Sequence, residues 1–266
     1  MTRFTKKFTL FTSTLTFSLS AFAYERVVVM SPDVADIMVA LGSAKKVVGK
    51  DATNKTPGLE NASVVGIHRN ITPEAVIAVK PDLVLGSYMV QPPSIYQRLN
   101  KLNIKAVNVA PTEDVATYAN SIVQIGNLMN KPIPAQKMST NWLNGIKAKP
   151  ATAKRYLLSY DGRIVAGKGT VGDELIRRAG GINAANVTGF VPMSREGWLA
   201  AKPDVIIIAA HNQTALGGLE QYKQRPEIAT SPAAKNNKIQ FWSANDFLRY
   251  GLGSPIVINN LNNLAR

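Results

Sequence analysis

The chain of 266 residues contains no cysteine. That absence excludes disulfides, thiolate metal sites and cysteine nucleophiles together. Histidine is almost as scarce, with only His68 and His211. A bare metal ion, which needs three or four His, Asp or Glu donors, is therefore not expected. Acids are few: 17 Asp and Glu stand against 31 Lys and Arg, a net charge of +14. The excess favours anionic partners such as nucleic acid, a membrane surface or an anionic small molecule. The cations are scattered among Asn and Ala rather than gathered in one arm, so most read as a solvated basic surface. Catalytic signatures are missing too. There is no H-E-x-x-H and no arguable Ser-His-Asp arrangement. Gly167-Lys168-Gly169-Thr170 departs from the phosphate-loop pattern because Gly169 separates the lysine from the threonine. An enzyme is not expected.

What is present begins with a leader. Arg3, Lys6 and Lys7 form a positive start, Phe8 to Leu19 a Thr-rich apolar stretch, and Ala21-Phe22-Ala23 a small-x-small site. Residues 1–23 read as a secretory signal peptide cut after Ala23. The stretch is too short and too rich in hydroxyls to span a bilayer. Tyr24 at the new terminus is not a cysteine, so lipid anchoring there is excluded. No apolar run of spanning length follows, so the reading is export to a bacterial periplasm, which also argues against nucleic acid as partner. Without Arg3, Lys6 and Lys7 the charge is +11. Hydrophobic residues at 45% suffice for a sizeable core, in one large domain or two lobes.

Apolar strands alternate with helices. RVVVM at 26–30 is a buried strand, and Ser31 or Asp33 can cap the helix that ends at Gly42, with Pro32 in its first turn. A short strand, KVVGKD, follows. This alternation predicts a parallel sheet flanked by helices. A pattern also recurs once. ITPEAVIAVKPDLVL at 71–85 and MSREGWLAAKPDVII at 193–207 share Glu, Ala, Lys, Pro and Asp at a constant offset. In each, Thr72 or Ser194 caps a helix, Glu74 or Glu196 stands two residues later, and Lys-Pro-Asp precedes an apolar strand. Looser similarity joins 32–42 to 170–181. Two copies indicate two similar lobes rather than a solenoid. Between them Thr112 caps a helical stretch, interrupted at Pro132 and Pro134, with a second helix over 135–146. The predicted organisation is an N-terminal lobe over 24–111, a rigid helical bridge over 112–149 and a C-terminal lobe over 150–266. The fold class is α/β, with a parallel-rich sheet in each lobe. A helical bridge is stiff, so large hinge closure is not expected.

With this organisation the chain resembles the substrate-binding proteins of ABC importers for iron chelates and tetrapyrroles, the group that takes cobalamin, siderophores and haem. The resemblance covers essentially the whole chain after residue 23. The haem-binding branch fits best, through VGIHRNITPEA at 65–75, Ala166-Gly167-Lys168-Gly169-Thr170, Ala179-Gly180-Gly181-Ile182-Asn183 and the late Tyr250-Gly251-Leu252-Gly253. It implies capture of haem between the lobes, delivery to an inner-membrane ABC permease dimer, and a monomer. A ferric siderophore or a corrinoid is the alternative cargo. In the family, an acid from each lobe docks on the permease, and Glu74 and Glu196 match those places. One departure stands out: where the haem-binding branch carries a tyrosine ligand to iron, this chain has Ile67, followed by His68.

In open α/β sheets, ligands sit beyond the carboxyl ends of the strands. His68 and Arg69, Tyr88 and Met89, and His211 each follow an apolar strand, and Arg249 and Tyr250 follow FWSANDF. Under the resemblance, His68 is expected to supply an axial nitrogen to haem iron, with His211 or Tyr88 as a second donor. Arg69, Arg249 and Lys168 are the expected propionate cations. Tyr88, Met89, Tyr250 and Phe247 are the expected walls for the macrocycle.

Overall fold

The computed structural model describes residues 24–265; the signal peptide expected over 1–23 lies outside the described residues. The first sheet is built from β1 (Val27–Val29), β2 (Val47–Lys50), β3 (Ser63–Val64), β6 (Leu83–Ser87) and β7 (Lys105–Ala110), in the order β3-β2-β1-β6-β7. Every pairing in it is parallel. Its connections carry α1 (Pro32–Ala40), α2 (Pro73–Ala78) and α3 (Ser94–Lys101), and also a small antiparallel hairpin of β4 (Gly66–Ile67) and β5 (Asn70–Ile71). Two 14-residue helices follow, α4 (Val115–Leu128) and α5 (Pro132–Gly145).

The second sheet runs β11-β9-β8-β12-β13, with β10 also paired to β8. Its strands are β8 (Arg155–Ser159), β9 (Ile164–Ala166), β10 (Ile182–Asn183), β11 (Phe190–Pro192), β12 (Val205–Ala209) and β13 (Ile239–Trp242). β8, β10, β12 and β13 are parallel, whereas β9 pairs antiparallel with both β8 and β11 at one side. Helices α6 (Val171–Arg178), α7 (Arg195–Ala201), the short α8 (Gly218–Lys223), α9 (Pro226–Ala229), α10 (Pro232–Lys235) and α11 (Ala244–Phe247), and the closing α12 (Ser254–Leu264) complete the chain.

The repeated segment has a clear structural purpose. Thr72 and Ser194 accept hydrogen bonds from the Ala75 and Gly197 amides (3.3 and 3.1 Å), closing the first turns of α2 and α7. Lys80 and Lys202 adopt left-handed φ values of 49° and 41° and end those helices. The proline then restarts an extended chain. Asp82 accepts from the Glu25 and Arg26 amides ahead of β1, and Asp204 from the Arg155 amide at the start of β8. Arg26 and Arg155 return the favour by donating to the carbonyls at the ends of α2 and α7. Each Lys-Pro-Asp thus locks a helix exit to the neighbouring strand.

Three expected details differ. Ser31 precedes α1, but its hydroxyl makes no cap; it instead receives a hydrogen bond from Ser87, which also donates to Asp33. The cap of α4 is Asp114, accepting from the Thr117 amide at 2.8 Å, because Thr112 spends its hydroxyl on that aspartate. Pro132 opens α5 rather than interrupting it, since proline at the first helical position gives up no intrahelical hydrogen bond.

One hydrophobic cluster runs from β1 and α1 through α4 and α5 to β8, β12 and α12. At its centre Tyr118, Trp142 and Tyr250 pack together, with ring centroids 4.7 to 6.2 Å apart. The Trp142 indole N–H donates to the Gly251 carbonyl at 2.8 Å. The two sheets therefore share a core through the helices between them.

Candidate functional site

The ends of strands from both sheets enclose a cavity of about 750 Å³, within the size range of small-molecule sites, about 300–1,000 Å³. Ile67, His68, Arg69, Tyr88, Met89, Gln91 and Glu113 line it from the first half of the chain. Tyr160, Phe190, His211, Leu248 and Arg249 are among its lining from the second.

His68 and Arg69 form the turn of the β4–β5 hairpin. The turn can be this tight because Gly66 sits at φ +126°, where a Cβ would stand 3.1 Å from the Asn70 carbonyl. Beneath it lies Asp51, one residue past β2 and fully buried. Asp51 accepts a short hydrogen bond from the His68 amide, others from the Thr53 amide and hydroxyl, and approaches His68 Nδ1 at 3.2 Å. Burial by itself pushes the Asp51 carboxyl up, but the hydrogen bonds from the His68 ring, the Thr53 hydroxyl and the His68 amide outweigh it and hold the group below the ordinary value. An ionised carboxylate only accepts, so Nδ1 is the donor in this contact. Nε2 has no hydrogen-bond partner among the described residues. Metal-binding imidazoles are commonly oriented by such a carboxylate.

Tyr88 is half-buried after β6 and donates its phenol proton to Glu113 at 2.7 Å. Burial, then the neighbouring Glu113 charge, pushes the Tyr88 hydroxyl far above its ordinary pKa. The Tyr88 hydroxyl is thus engaged with Glu113, a contact it would have to give up to reach iron as a second donor. Met89 lines the cavity beside it. The Gln91 amide donates to the His68 carbonyl at 2.8 Å, tying the hairpin turn to the loop after β6.

On the opposite side His211 lies in a single helical turn after β12, its ring 4.9 Å from Tyr160, which meets Phe190 edge-on at 6.1 Å. Asn212 donates to the Tyr160 carbonyl at 2.7 Å, which fixes its amide nitrogen. That nitrogen lies 3.0 Å from His211 Nε2, so Nε2 accepts and is already occupied. The wall is thus Tyr160, Phe190 and the His211 ring.

The cations divide. Arg69 is exposed at the turn and makes no ion pair among the described residues. Arg249 lines the cavity but is buried, bonded to Asp36 at 2.9 Å, Asn245 at 3.3 Å and the Tyr250 carbonyl at 3.2 Å. Burial alone would lower its pKa; the Asp36 and Asp33 charges more than offset this and raise it. It is a structural charge already satisfied rather than a free cation. Lys168 is exposed and bridged through its backbone to Thr188, outside the cavity lining. Tyr250 and Phe247 are core side chains, 6% and 0% exposed, and burial pushes the Tyr250 hydroxyl up to about 12. Both follow the β13 strand, but α11 turns them into the core instead of the cavity. Asp51, Glu113 and Tyr160, which sequence reasoning did not single out, each stand just past a strand end, the same signal that located His68, Tyr88 and His211.

The periplasmic binding protein family pattern matches residues 27–245. The chain belongs to the periplasmic binding proteins. This periplasmic binding protein is a substrate-binding transport protein of the haem, vitamin B12 and siderophore type, not an enzyme. It is similar to the vitamin B12-binding protein of Salmonella choleraesuis (strain SC-B67), 26% identical over 218 residues, covering 78% of this chain and 80% of that protein. Its fold is that of the periplasmic haem-binding protein HutB of Vibrio cholerae (TM-score 0.79, 26% identity, 90% and 98% of the chains covered). The apo haem-binding protein RhuT of Roseiflexus sp. RS-1 shares it as well (TM-score 0.80, 23% identity, 91% and 99% covered). Among the described residues no helix of this binding protein is long and apolar enough to cross a membrane, and no group of three or more His, Asp or Glu side chains could hold a bare metal ion.

Proposed function

We propose that this periplasmic binding protein captures haem in the inter-sheet cavity and delivers it to an inner-membrane ABC permease. The observation that carries the reading is the Asp51–His68 pair. It leaves one imidazole nitrogen without a protein partner in a cavity whose other side is the Tyr160–Phe190–His211 wall. Iron accepts such a nitrogen as an axial ligand, and a flat macrocycle suits an aromatic wall. Arg69, which makes no ion pair among the described residues, is a cation placed for a propionate. Similarity in fold to haem-binding proteins supports the same cargo.

The test is titration of the purified protein with hemin. A Soret band that shifts on binding and saturates at sub-micromolar protein is expected, and His68→Ala should change the axial-ligand bands. An unchanged spectrum in that variant would remove His68 as ligand. The vitamin B12-binding relatives favour a corrinoid as second reading. Tight cyanocobalamin binding with no hemin binding would establish it.

Glu74 and Glu196 are the proposed permease contacts. Both are exposed in the first turns of α2 and α7, and in each the glutamate's own amide and then the capping hydroxyl, Thr72 or Ser194, hold the carboxyl below its ordinary pKa. They are therefore fixed negative charges in matching settings, suited to a two-fold partner. Reversing both charges (Glu74→Lys with Glu196→Lys) is expected to abolish transport and leave ligand affinity intact; loss of ligand affinity refutes the assignment.

A further inference from the structure

We infer that this cleft holds ferrous haem as well as ferric haem, because the donor atom it offers iron is the imidazole Nε2 of His68 and not an anionic oxygen. The inference rests on the haem reading above and specifies which form of that cargo is accepted.

An anionic phenolate is a hard donor suited to trivalent iron, whereas a neutral imidazole serves both oxidation states. The cleft does not present the hard donor freely at Ile67 or at Tyr88. Ile67 has no donor atom and is 48% exposed beside the cavity. The Tyr88 hydroxyl donates a hydrogen bond to Glu113, so a phenolate there would face a carboxylate at 2.7 Å. Tyr160 is laid against His211 and Phe190 as a wall. Apart from the Glu113 carboxylate, which accepts from Tyr88, and the Tyr160 hydroxyl in the wall, the donors not already bonded are nitrogen and thioether: His68 Nε2, with its ring set by Asp51, and Met89, half-buried in the same lining. A thioether favours the reduced metal further. Asp51 acts in the other direction, since a carboxylate on Nδ1 makes the imidazole more basic and favours ferric iron. The two influences oppose each other, so neither oxidation state is rejected. The protein carries out no electron transfer in this account; it accepts cargo of either charge. The same logic extends the substrate class to divalent metalloporphyrins.

The experiment compares affinities of the purified protein for hemin, for dithionite-reduced haem under argon, and for zinc protoporphyrin, which is divalent and redox-inert. The expected result is ferrous affinity within about tenfold of ferric affinity, a gap of no more than about 1.4 kcal/mol, together with saturable zinc protoporphyrin binding. His68→Ala is expected to weaken both iron forms by about tenfold or more. Three results overturn the inference: release of bound haem on reduction with a loss beyond about a hundredfold, failure to take up zinc protoporphyrin, or a phenolate charge-transfer band in the ferric complex that vanishes in Tyr160→Phe. Absence of hemin binding in either state defeats the haem reading itself and is distinguishable from all three.

Discussion

The buried carboxylate of Asp51 bears two loads at once. It orients His68 through Nδ1, and it anchors the hairpin turn through the His68 amide and the Thr53 amide and hydroxyl. Asn in its place keeps the volume but loses the charge and half of the acceptor capacity. Asp51→Asn is therefore expected to weaken haem binding by about 10- to 100-fold, measured by hemin titration at pH 7. The same substitution probes linkage. Because the folded-state pKa of Asp51 is lowered, its ionised form stabilises the fold above the unfolded aspartate value of about 3.9, and that contribution is lost as pH falls through the folded-state value. The stability gap between wild type and Asp51→Asn should thus be full at neutral pH and shrink below about pH 4. A gap that is constant from neutral to acid pH would show that the carboxylate charge is irrelevant. Of this pair the sequence made His68 legible, since a rare residue after an apolar run attracts notice. Asp51 carries no such mark, because an acid after KVVGK resembles any solvated loop residue until β2 and the β4–β5 turn are brought together. The same holds for Arg249. A late arginine near a cleft looks available, and only the fold places Asp36, more than two hundred positions earlier, against it.

At the scale of elements, local punctuation was the most readable part. Thr72 and Ser194 as caps, the repeated Lys-Pro-Asp and the strand–helix alternation all follow from short-range chemistry, and the structure contains them. The antiparallel β9 and β11, and the turn of α11 that sends Phe247 and Tyr250 inward, depend on long-range packing and carry no local mark. The Lys-Pro-Asp motif also has an energetic flaw. Lys202 sits at φ 41° and Lys80 at φ 49°, in the left-handed region where a Cβ costs an L-residue about 1–2 kcal/mol. Glycine carries no such penalty. Lys202→Gly should therefore stabilise the protein by up to about 1 kcal/mol despite glycine's larger entropy in the unfolded chain. Urea denaturation measures this, and a destabilised variant would mean that the Lys202 side chain makes a contribution larger than the strain it incurs.

Across the whole molecule, the deciding feature is the shared core. Trp142 on α5 packs on Tyr118 of α4 at 4.7 Å and on Tyr250 at 6.0 Å, and donates to the Gly251 carbonyl. The hydrophobic cluster around it includes Val27, Val29, Leu83 and Leu85 of the first sheet and Tyr156, Leu158, Val205 and Ile207 of the second. Neither sheet can lose its packing on α4 and α5 without exposing part of the other's. The two halves should then unfold together, in one transition by circular dichroism and with matched hydrogen-exchange protection for β1 and β8 amides. Trp142 is 3% exposed, so Trp142→Ala should cost about 3–5 kcal/mol and lower the urea midpoint of that single transition for both sheets alike. If the variant unfolds its halves separately, or lowers exchange protection in only one sheet, the helices are a tether between independent lobes. If both sheets lose protection in step, the same rigidity argues that cargo enters by local adjustment at the β4–β5 turn and not by swinging one half against the other.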